Sequence, residues 1–165
     1  MSYQANDSMT RKVYTVGWDE NLLTAYQMMK DHKIRHLPVI RHQGDVVGVL
    51  SDRDLQRAMQ SDFGKDKMKL IETAQFPQGA LVRDYMNWPV LTVERNQDLK
   101  SVVKMMMIDK ISSVIVTEKN ELVGIITTQD LLKVLLEFLS NPGSSKKYGI
   151  ESFFEDDWIG STSVV

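Results

Sequence analysis

The chain contains one pattern of residues twice, at a nearly constant offset. When the second half is moved back by 77 positions, Met86 aligns with Met9, and the register continues along the following strand and helix. Beyond a single one-residue gap, "GIITTQDL" at 124–131 aligns with "GVLSDRDL" at 48–55. A register kept over so many positions indicates an internal duplication. Each copy has only about 50 residues, so the two copies are expected to share a core.

Each copy predicts the element order β-α-β-β-α. A strand rich in β-branched residues, "VYTV" or "VLTV", comes first, and Asp19 or Asn96 is the expected N-cap of the helix that follows. Two short strands joined by a hairpin-sized connection come next, and a second helix begins just after Ser51 or Thr127. The predicted fold class is α+β, with two β-α-β-β-α repeats packed sheet to sheet as a pseudo-twofold intramolecular dimer. The predicted bounds are 7–60 for the first repeat, 61–82 for a linker, 83–140 for the second repeat and 141–165 for a C-terminal tail.

Composition narrows the possible classes of function. The 165 residues carry a formal net charge of −2 and no cysteine, which argues against a broad nucleic-acid footprint and excludes a disulfide or thiolate metal site. No apolar run approaches the roughly 18 residues of a membrane-spanning helix, and the N-terminus lacks the apolar segment of a signal peptide. We therefore expect a cytoplasmic protein that binds neither membranes nor nucleic acids. The sequence contains no P-loop, dinucleotide fingerprint, nucleophile–base pair or metal-ligand spacing, so it predicts neither catalysis nor a metal site.

The repeated segment has two compatible interpretations. Residues Ser51 to Asp54 and Thr127 to Asp130 each match a capping box, in which a hydroxyl and an acidic side chain satisfy N–H groups at the start of a helix. Such a cap contributes about 1 kcal/mol. The same junction points N–H groups outward, which suits a phosphate, and a nearby carboxylate can accept protons from both hydroxyls of a ribose. The cap geometry therefore creates donors that a phosphate would use.

In its order, spacing and duplication, the pattern resembles a tandem pair of CBS domains, often called a Bateman module. The resemblance rests on "DSMTRKVYTV", "IRHLPVI" and "GVLSDRDL" in the first copy and on "RDYMNWPVLTV", "ISSVIV" and "GIITTQDL" in the second. It implies a disc-like module with two clefts between the repeats that bind adenosine compounds such as AMP, ADP or ATP, with no required cofactor. It also implies a regulatory, energy-sensing function without catalysis, and pairing into a homodimer.

The resemblance assigns candidate ligand residues to each cleft by position. Asp54 and Asp130 would bind ribose hydroxyls, and Ser51 and Thr127 would contact ribose or phosphate. The set expected at the first cleft is Ser51, Arg53, Asp54, Arg35, His36, Met86, Leu91, Ile111 and Ser112. The set expected at the second cleft is Thr127, Thr128, Asp130, Met9, Tyr14, Ile34 and Ser113. Because phosphates in both clefts would point toward a shared middle, Arg35 could serve either.

The two copies differ in charge near the expected clefts. The first copy has Arg35, His36 and Arg53 where the second has two serines and a glutamine. Since arginine suits phosphate oxygens, the first cleft is predicted to hold a charged phosphate, and the second an uncharged adenosine moiety or nothing.

Two functions remain open at this point. The first is a sensor of adenine nucleotides that signals to a separate partner or through a change in assembly. The alternative is a structural dimerisation or docking module with empty clefts. The acidic tail is expected to be either a mobile or surface-docked segment, or a dimer or partner contact through Phe153, Phe154 and Trp158.

Overall fold

The computed structural model describes residues 3–41, 44–62 and 76–140. Within these residues, the first repeat forms a three-stranded sheet with its helices. In chain order its elements are α1 (Ala5–Ser8), β1 (Val16–Gly17), α2 (Leu22–His32), β2 (His36–Ile40), β3 (Val46–Ser51) and α3 (Asp52–Asp62). Strand β1 runs parallel to β2, and β2 runs antiparallel to β3.

The second repeat forms a sheet with the same strand order and directions. Its elements are a 3-10 turn (Val82–Asp84), β4 (Thr92–Glu94), α4 (Leu99–Ile108), β5 (Ser113–Glu118), β6 (Glu121–Thr127) and α5 (Thr128–Ser140). The predicted element order is confirmed in both copies. Lys119 and Asn120 have φ values of 52° and 67°, which suit the tight hairpin turn between β5 and β6.

The first helix of each repeat begins later than predicted. Asn21, rather than Asp19, caps α2, because its side-chain oxygen accepts a hydrogen bond from an N–H of the first turn. Asp98, rather than Asn96, caps α4 in the same way. Both residues of each pair are favourable N-cap types, so composition did not distinguish them.

The segments that precede the two sheets are exchanged between the repeats. Ala5 and Met9 precede the first sheet, but they are buried in the hydrophobic core of the second repeat. Ala80 and Val82 precede the second sheet, but they are buried in the core of the first repeat. Each repeat therefore completes its core with residues from the other copy.

An isolated backbone pairing fixes each exchanged segment to the opposite sheet. Thr10 and Ile125 of β6 exchange two hydrogen bonds of 2.9 and 3.0 Å, and Asn87 and Val49 of β3 exchange two of 2.9 and 3.1 Å. Along the chain, the residues just after Thr10 and Asn87 lie in the walls of the two clefts described below. The exchange thus brings side chains of each copy to the helix start of the other.

The glycine that opens each repeated segment lies where an exchanged methionine crosses the sheet. A Cβ at Gly48 would lie 2.7 Å from the Met86 sulfur, and a Cβ at Gly124 would lie 2.5 Å from the Met9 sulfur. Both distances are too short for a side chain, so these glycines have a steric role in the interface between the repeats.

One face of α5 is apolar and exposed. Its residues follow the i, i+3, i+4, i+7 spacing of a single helix face, and between 46% and 65% of each side chain is accessible to solvent. We call this face the leucine seam, and it consists of Leu132, Leu135, Leu136 and Leu139.

Part of the predicted organisation lies outside the described residues. This applies to the tail at 141–165, with Phe153, Phe154 and Trp158, and to most of the predicted linker. The predicted domain bounds stay predictions.

Candidate functional site

The first cleft lies between the repeats and has a volume of about 540 Å³. Its polar wall comes from the first repeat, at the junction of β3 and α3, where Ser51, Arg53 and Asp54 lie. Its apolar wall includes Leu91 and Ile111 from the second repeat. The complete lining is His36, Val49, Ser51, Arg53, Asp54, Gln56, Arg57, Asn87, Pro89, Val90, Leu91, Lys110, Ile111, Ser112 and Ser113.

Asp54 is the buried carboxylate of the first cleft, and only 2% of it is exposed. It forms the predicted capping box, since its Oδ2 accepts the Ser51 N–H at 2.8 Å and the Ser51 hydroxyl. Asn87, from the exchanged segment, donates to the same oxygen at 2.8 Å, and Arg57 donates to Oδ1. The carboxylate is therefore bonded to its own helix cap, to the helix surface and to the other repeat.

The second cleft repeats this arrangement in a volume of about 430 Å³. Its polar wall lies at the junction of β6 and α5, and Tyr14 and Ile34 come from the first repeat. The complete lining is Thr10, Lys12, Val13, Tyr14, Lys33, Ile34, Arg35, His36, Asp52, Arg53, Ser112, Ile125, Thr127, Thr128, Gln129, Asp130 and Lys133.

Asp130 has the same four kinds of partner as Asp54. Thr127 donates its N–H and its hydroxyl to Oδ2 at 3.0 and 2.7 Å, and Lys133 and Thr10 donate to Oδ1 at 2.9 and 3.2 Å. Burial opposes the charged form of Asp130, but the bonds from Thr127 and Lys133 outweigh it and hold the pKa of the carboxyl below its usual range. The carboxylate is therefore ionised at neutral pH.

Two of the helix-start N–H groups are already bonded within the protein. The Asp52 N–H donates to the Arg35 carbonyl at 3.0 Å, and the Thr128 N–H donates to the Ser112 carbonyl at 3.0 Å. The capping hydroxyls also receive long hydrogen bonds of 3.4 Å from the N–H groups of their carboxylate partners. Side-chain cations, rather than these N–H groups, are therefore the principal phosphate donors that the clefts offer.

Three residues line both clefts and form a wall between them. They are His36 and Arg53 from the first repeat and Ser112 from the second. The His36 Nε2 lies 2.8 Å from the Ser112 Oγ, so a hydrogen bond joins the two repeats within this wall. Burial, the largest influence, lowers the pKa of the half-buried His36 imidazole below its ordinary value.

Most of the predicted ligand residues line the cleft to which the resemblance assigned them, but four do not. Arg35 lines the second cleft instead of the first, and Ser113 lines the first instead of the second. Met86 and Met9 line neither cleft, because both pack against the glycines where the exchanged segments cross. Their role in the structure is therefore to join the repeats.

Sequence reasoning missed the cross-repeat partners of the two carboxylates. Asn87 and Thr10 occupy equivalent positions in the duplicated pattern, as do Arg57 and Lys133. An alignment of the two copies that compared polar roles, as well as identities, would have identified both pairs.

Two further cleft residues, Lys33 and Lys110, carry a clearer signal, because they are an identical pair at the offset of 77. Both adopt a left-handed backbone with φ of 53° at the end of a helix. Each of them lines one cleft.

The observed positions of the charged side chains change the predicted difference between the clefts. The first cleft is lined by the cations Arg53, Arg57 and Lys110 and one carboxylate. The second is lined by two carboxylates and five cations, which are Lys12, Lys33, Arg35, Arg53 and Lys133. Of the three residues on which the preference for the first cleft rested, Arg35 lines only the second cleft and His36 and Arg53 line both, so they no longer favour the first.

The two clefts, each formed by residues of both copies, define a duplicated two-repeat module. A family model for the CBS domain matches the chain twice, at residues 5–61 and 82–137. These matches cover more than half of the chain, and the protein therefore belongs to the CBS-domain family, as a pair of CBS domains. The predicted resemblance and fold class are confirmed.

Individual proteins are similar to this chain in sequence or in structure. An uncharacterized protein of Methanopyrus kandleri is 27% identical over 134 residues, which are 81% of this chain but 63% of that protein, so the chain spans less than two thirds of this relative. A structure from Vibrio cholerae, described as an acetoin utilization protein (AcuB), superposes with a TM-score of 0.68 at 26% identity, over 88% of this chain and 98% of that one. The structure of CBSX2 in complex with AMP superposes with a TM-score of 0.66 at 25% identity, over 83% and 98%.

The described residues include neither a membrane-spanning helix nor a metal-binding cluster. No helix among them is both long and apolar enough to cross a bilayer. No group of three or more His, Asp or Glu side chains among them is placed to hold a metal ion.

Proposed function

We propose that the protein is a regulatory module that binds an adenosine phosphate between its two repeats. The main support is the repetition of one network in both clefts: a buried carboxylate, its capping hydroxyl, a cation one helical turn later and a polar side chain from the other repeat. Such networks exceed what a helix cap needs. The AMP complex of CBSX2 supports the same ligand class by similarity.

Asp54 and Asp130 could bind a ribose if its hydroxyls replaced some of the hydrogen-bond donors that now contact these carboxylates. An ionised carboxylate offers about four lone-pair sites, and both Asp54 and Asp130 accept hydrogen bonds from four donors of the protein. Two ribose hydroxyls would replace the donors outside the capping box. In the second cleft these are Lys133, whose side chain is 67% exposed, and Thr10. The displaced cation would then be available to the phosphate.

The remaining parts of the ligand fit the rest of each cleft. Ile111 and Leu91, or Ile34 and Tyr14, would enclose the adenine, as the resemblance implies. The phosphate would lie toward the shared wall with Arg53. We place the tighter site for an anionic ligand in the second cleft, because five cations line it.

The proposal is tested by thermal melting of the 165-residue chain with AMP, ADP, ATP, S-adenosylmethionine and adenosine, and with GMP as the control for the base. A ligand at about 100 times its dissociation constant should stabilise the fold by about 2.7 kcal/mol. We expect the adenosine phosphates to raise the melting temperature and GMP to leave it unchanged. A flat response to the whole panel would favour the structural alternative, in which the carboxylates serve only as helix caps.

We also propose that the module forms a homodimer through the leucine seam, and that assembly or a separate partner transmits the ligand signal. Four exposed leucines on one helix face are typical of a surface that another protein covers. The predicted cytoplasmic location and the predicted role in energy sensing belong to this proposal.

Replacing Leu136 with lysine is expected to convert the dimer to a monomer, because a charge would have to be buried at the centre of the seam. Leu23→Lys is the matched control, since Leu23 is an exposed leucine on α2 outside the seam. Light scattering after size-exclusion chromatography should give twice the chain mass of 18.9 kDa for the wild type and the control. A monomeric wild type, or a dimeric variant, would contradict the proposed interface.

A further inference from the structure

The wall between the clefts contains a titratable group in one copy of the repeat only. His36 begins β2 and lines both clefts, whereas the equivalent position of the second repeat, at the offset of 77, is Ser113. The Ser112 Oγ lies 2.8 Å from the His36 Nε2. A change in the protonation of one imidazole would therefore be felt in both clefts.

The charged groups around His36 come mainly from its own repeat, and they have opposite effects on its pKa. Asp52 and Asp54 favour its protonated form, and Arg35 and Arg53 disfavour it. The second repeat contributes the neutral hydroxyl of Ser112. Other charged side chains on the cleft walls are Arg57, Lys110, Lys12, Lys33, Lys133 and Asp130.

Burial has a larger effect on the pKa of His36 than the nearby carboxylates have. It lowers the pKa of His36, so the imidazole is largely neutral at neutral pH. A bound phosphate would add about −1.5 to −2 charges on the wall and would favour the imidazolium. Both ring nitrogens of an imidazolium are donors, so the Ser112 oxygen would accept from Nε2 and its own proton would be available to the ligand.

We propose that His36 takes up one proton from solvent when a phosphorylated adenosine ligand occupies the clefts, and that it thereby makes discrimination between phosphorylated and unphosphorylated ligands depend on pH. This inference rests on the proposed function. Because the ligand raises the pKa of His36, the added affinity is fully present below the pKa of the free protein and is lost as the pH rises through the pKa of the complex. One linked proton changes the dissociation constant by at most about tenfold per pH unit.

Isothermal titration calorimetry tests the inference through the number of protons taken up. AMP and adenosine are titrated into wild-type protein and His36→Gln at one pH near neutrality, in two buffers of different ionisation enthalpy. We expect AMP to cause more proton uptake in the wild type than in the variant, and adenosine to cause the same uptake in both. The phosphate has its own pKa near 6 and would release protons in a cationic site, but that release is common to both proteins. Ser112→Ala, which keeps the imidazole, should retain the uptake.

A second measurement determines the pKa of His36 directly in the wild-type protein. The chain has three histidines, so the ring protons of His36 can be followed by NMR across pH, with and without AMP. The pKa of His36 should rise when AMP is bound and should stay constant with adenosine. Equal proton uptake in wild type and His36→Gln, or an unchanged titration of His36 with AMP bound, would overturn the inference while AMP binding itself persists. If AMP does not bind at all, both the proposed function and this inference are wrong.

Discussion

The Asp130→Asn variant is expected to bind AMP about 10- to 100-fold more weakly than the wild type. Hydrogen bonds to a charged acceptor contribute about 1.5–3 kcal/mol each, and the amide that replaces the carboxylate can accept from only one of its two positions. Asparagine keeps the shape of the side chain and an acceptor for the Thr127 N–H, so the fold should remain. Titration calorimetry gives the affinity, and melting of the unliganded variant gives its stability.

Asp54→Asn is the matched variant in the other repeat, since Asp54 has the same kinds of donor. It is expected to affect AMP less, because fewer cations line its cleft. A larger loss with Asp54→Asn would reverse the proposed order of the clefts and would support the first cleft, which the sequence predicts. Equal losses would indicate that both clefts hold the charged ligand with similar strength.

Gly48→Ala is expected to destabilise the fold by about 1–3 kcal/mol, because a side chain would be inserted where an exchanged segment crosses β3. The new Cβ would lie 2.7 Å from the Met86 sulfur and 2.9 Å from the Asn87 carbonyl oxygen. A methionine side chain can move, but this carbonyl belongs to the backbone that pairs with Val49. Urea unfolding should show a lower midpoint, and the pairing of Asn87 with β3 should weaken.

Gly124→Ala provides the comparison, since its new Cβ would meet only side-chain atoms of Met9 within the three nearest contacts. Removing the obstacle with Met9→Ala should therefore recover part of the loss at Gly124, so that the two changes are not additive. The corresponding Met86→Ala change should recover less at Gly48, because the carbonyl remains. Additive effects in both pairs would contradict the steric role assigned to these glycines.

Much of the fold could be predicted from the sequence, because the duplication strongly limits the possible arrangements of helices and strands. The element order follows from alternating short apolar runs and periodic helical segments, and it needs only local information. The roles of Asp54 and Asp130 as capping residues also follow from local spacing. The exact starts of α2 and α4 could not be predicted in this way, because two favourable cap residues lie two positions apart at each start.

The composition of the clefts was harder to predict, because it depends on contacts between the copies. Met9 and Met86 align with each other in the sequence, but only the exchange of segments shows that both pack against glycines of the opposite repeat. Arg35 and His36 are adjacent in the sequence. Arg35, just before β2, lines only the second cleft, whereas His36, the first residue of β2, lines both, and local sequence does not reveal this difference.

The exchange of segments also determines which parts of the chain depend on each other. Ala5 and Met9 complete a core formed by residues of the second repeat, from Val93 to Ile126, so a change near the amino terminus is expected to weaken the second repeat before the first. Neither repeat contains all of its own interior, and neither cleft has two walls without the other copy. A single copy produced alone would expose core residues that the other copy now covers and would lack one wall of its cleft, so the pair, and not the single repeat, is the expected folding unit.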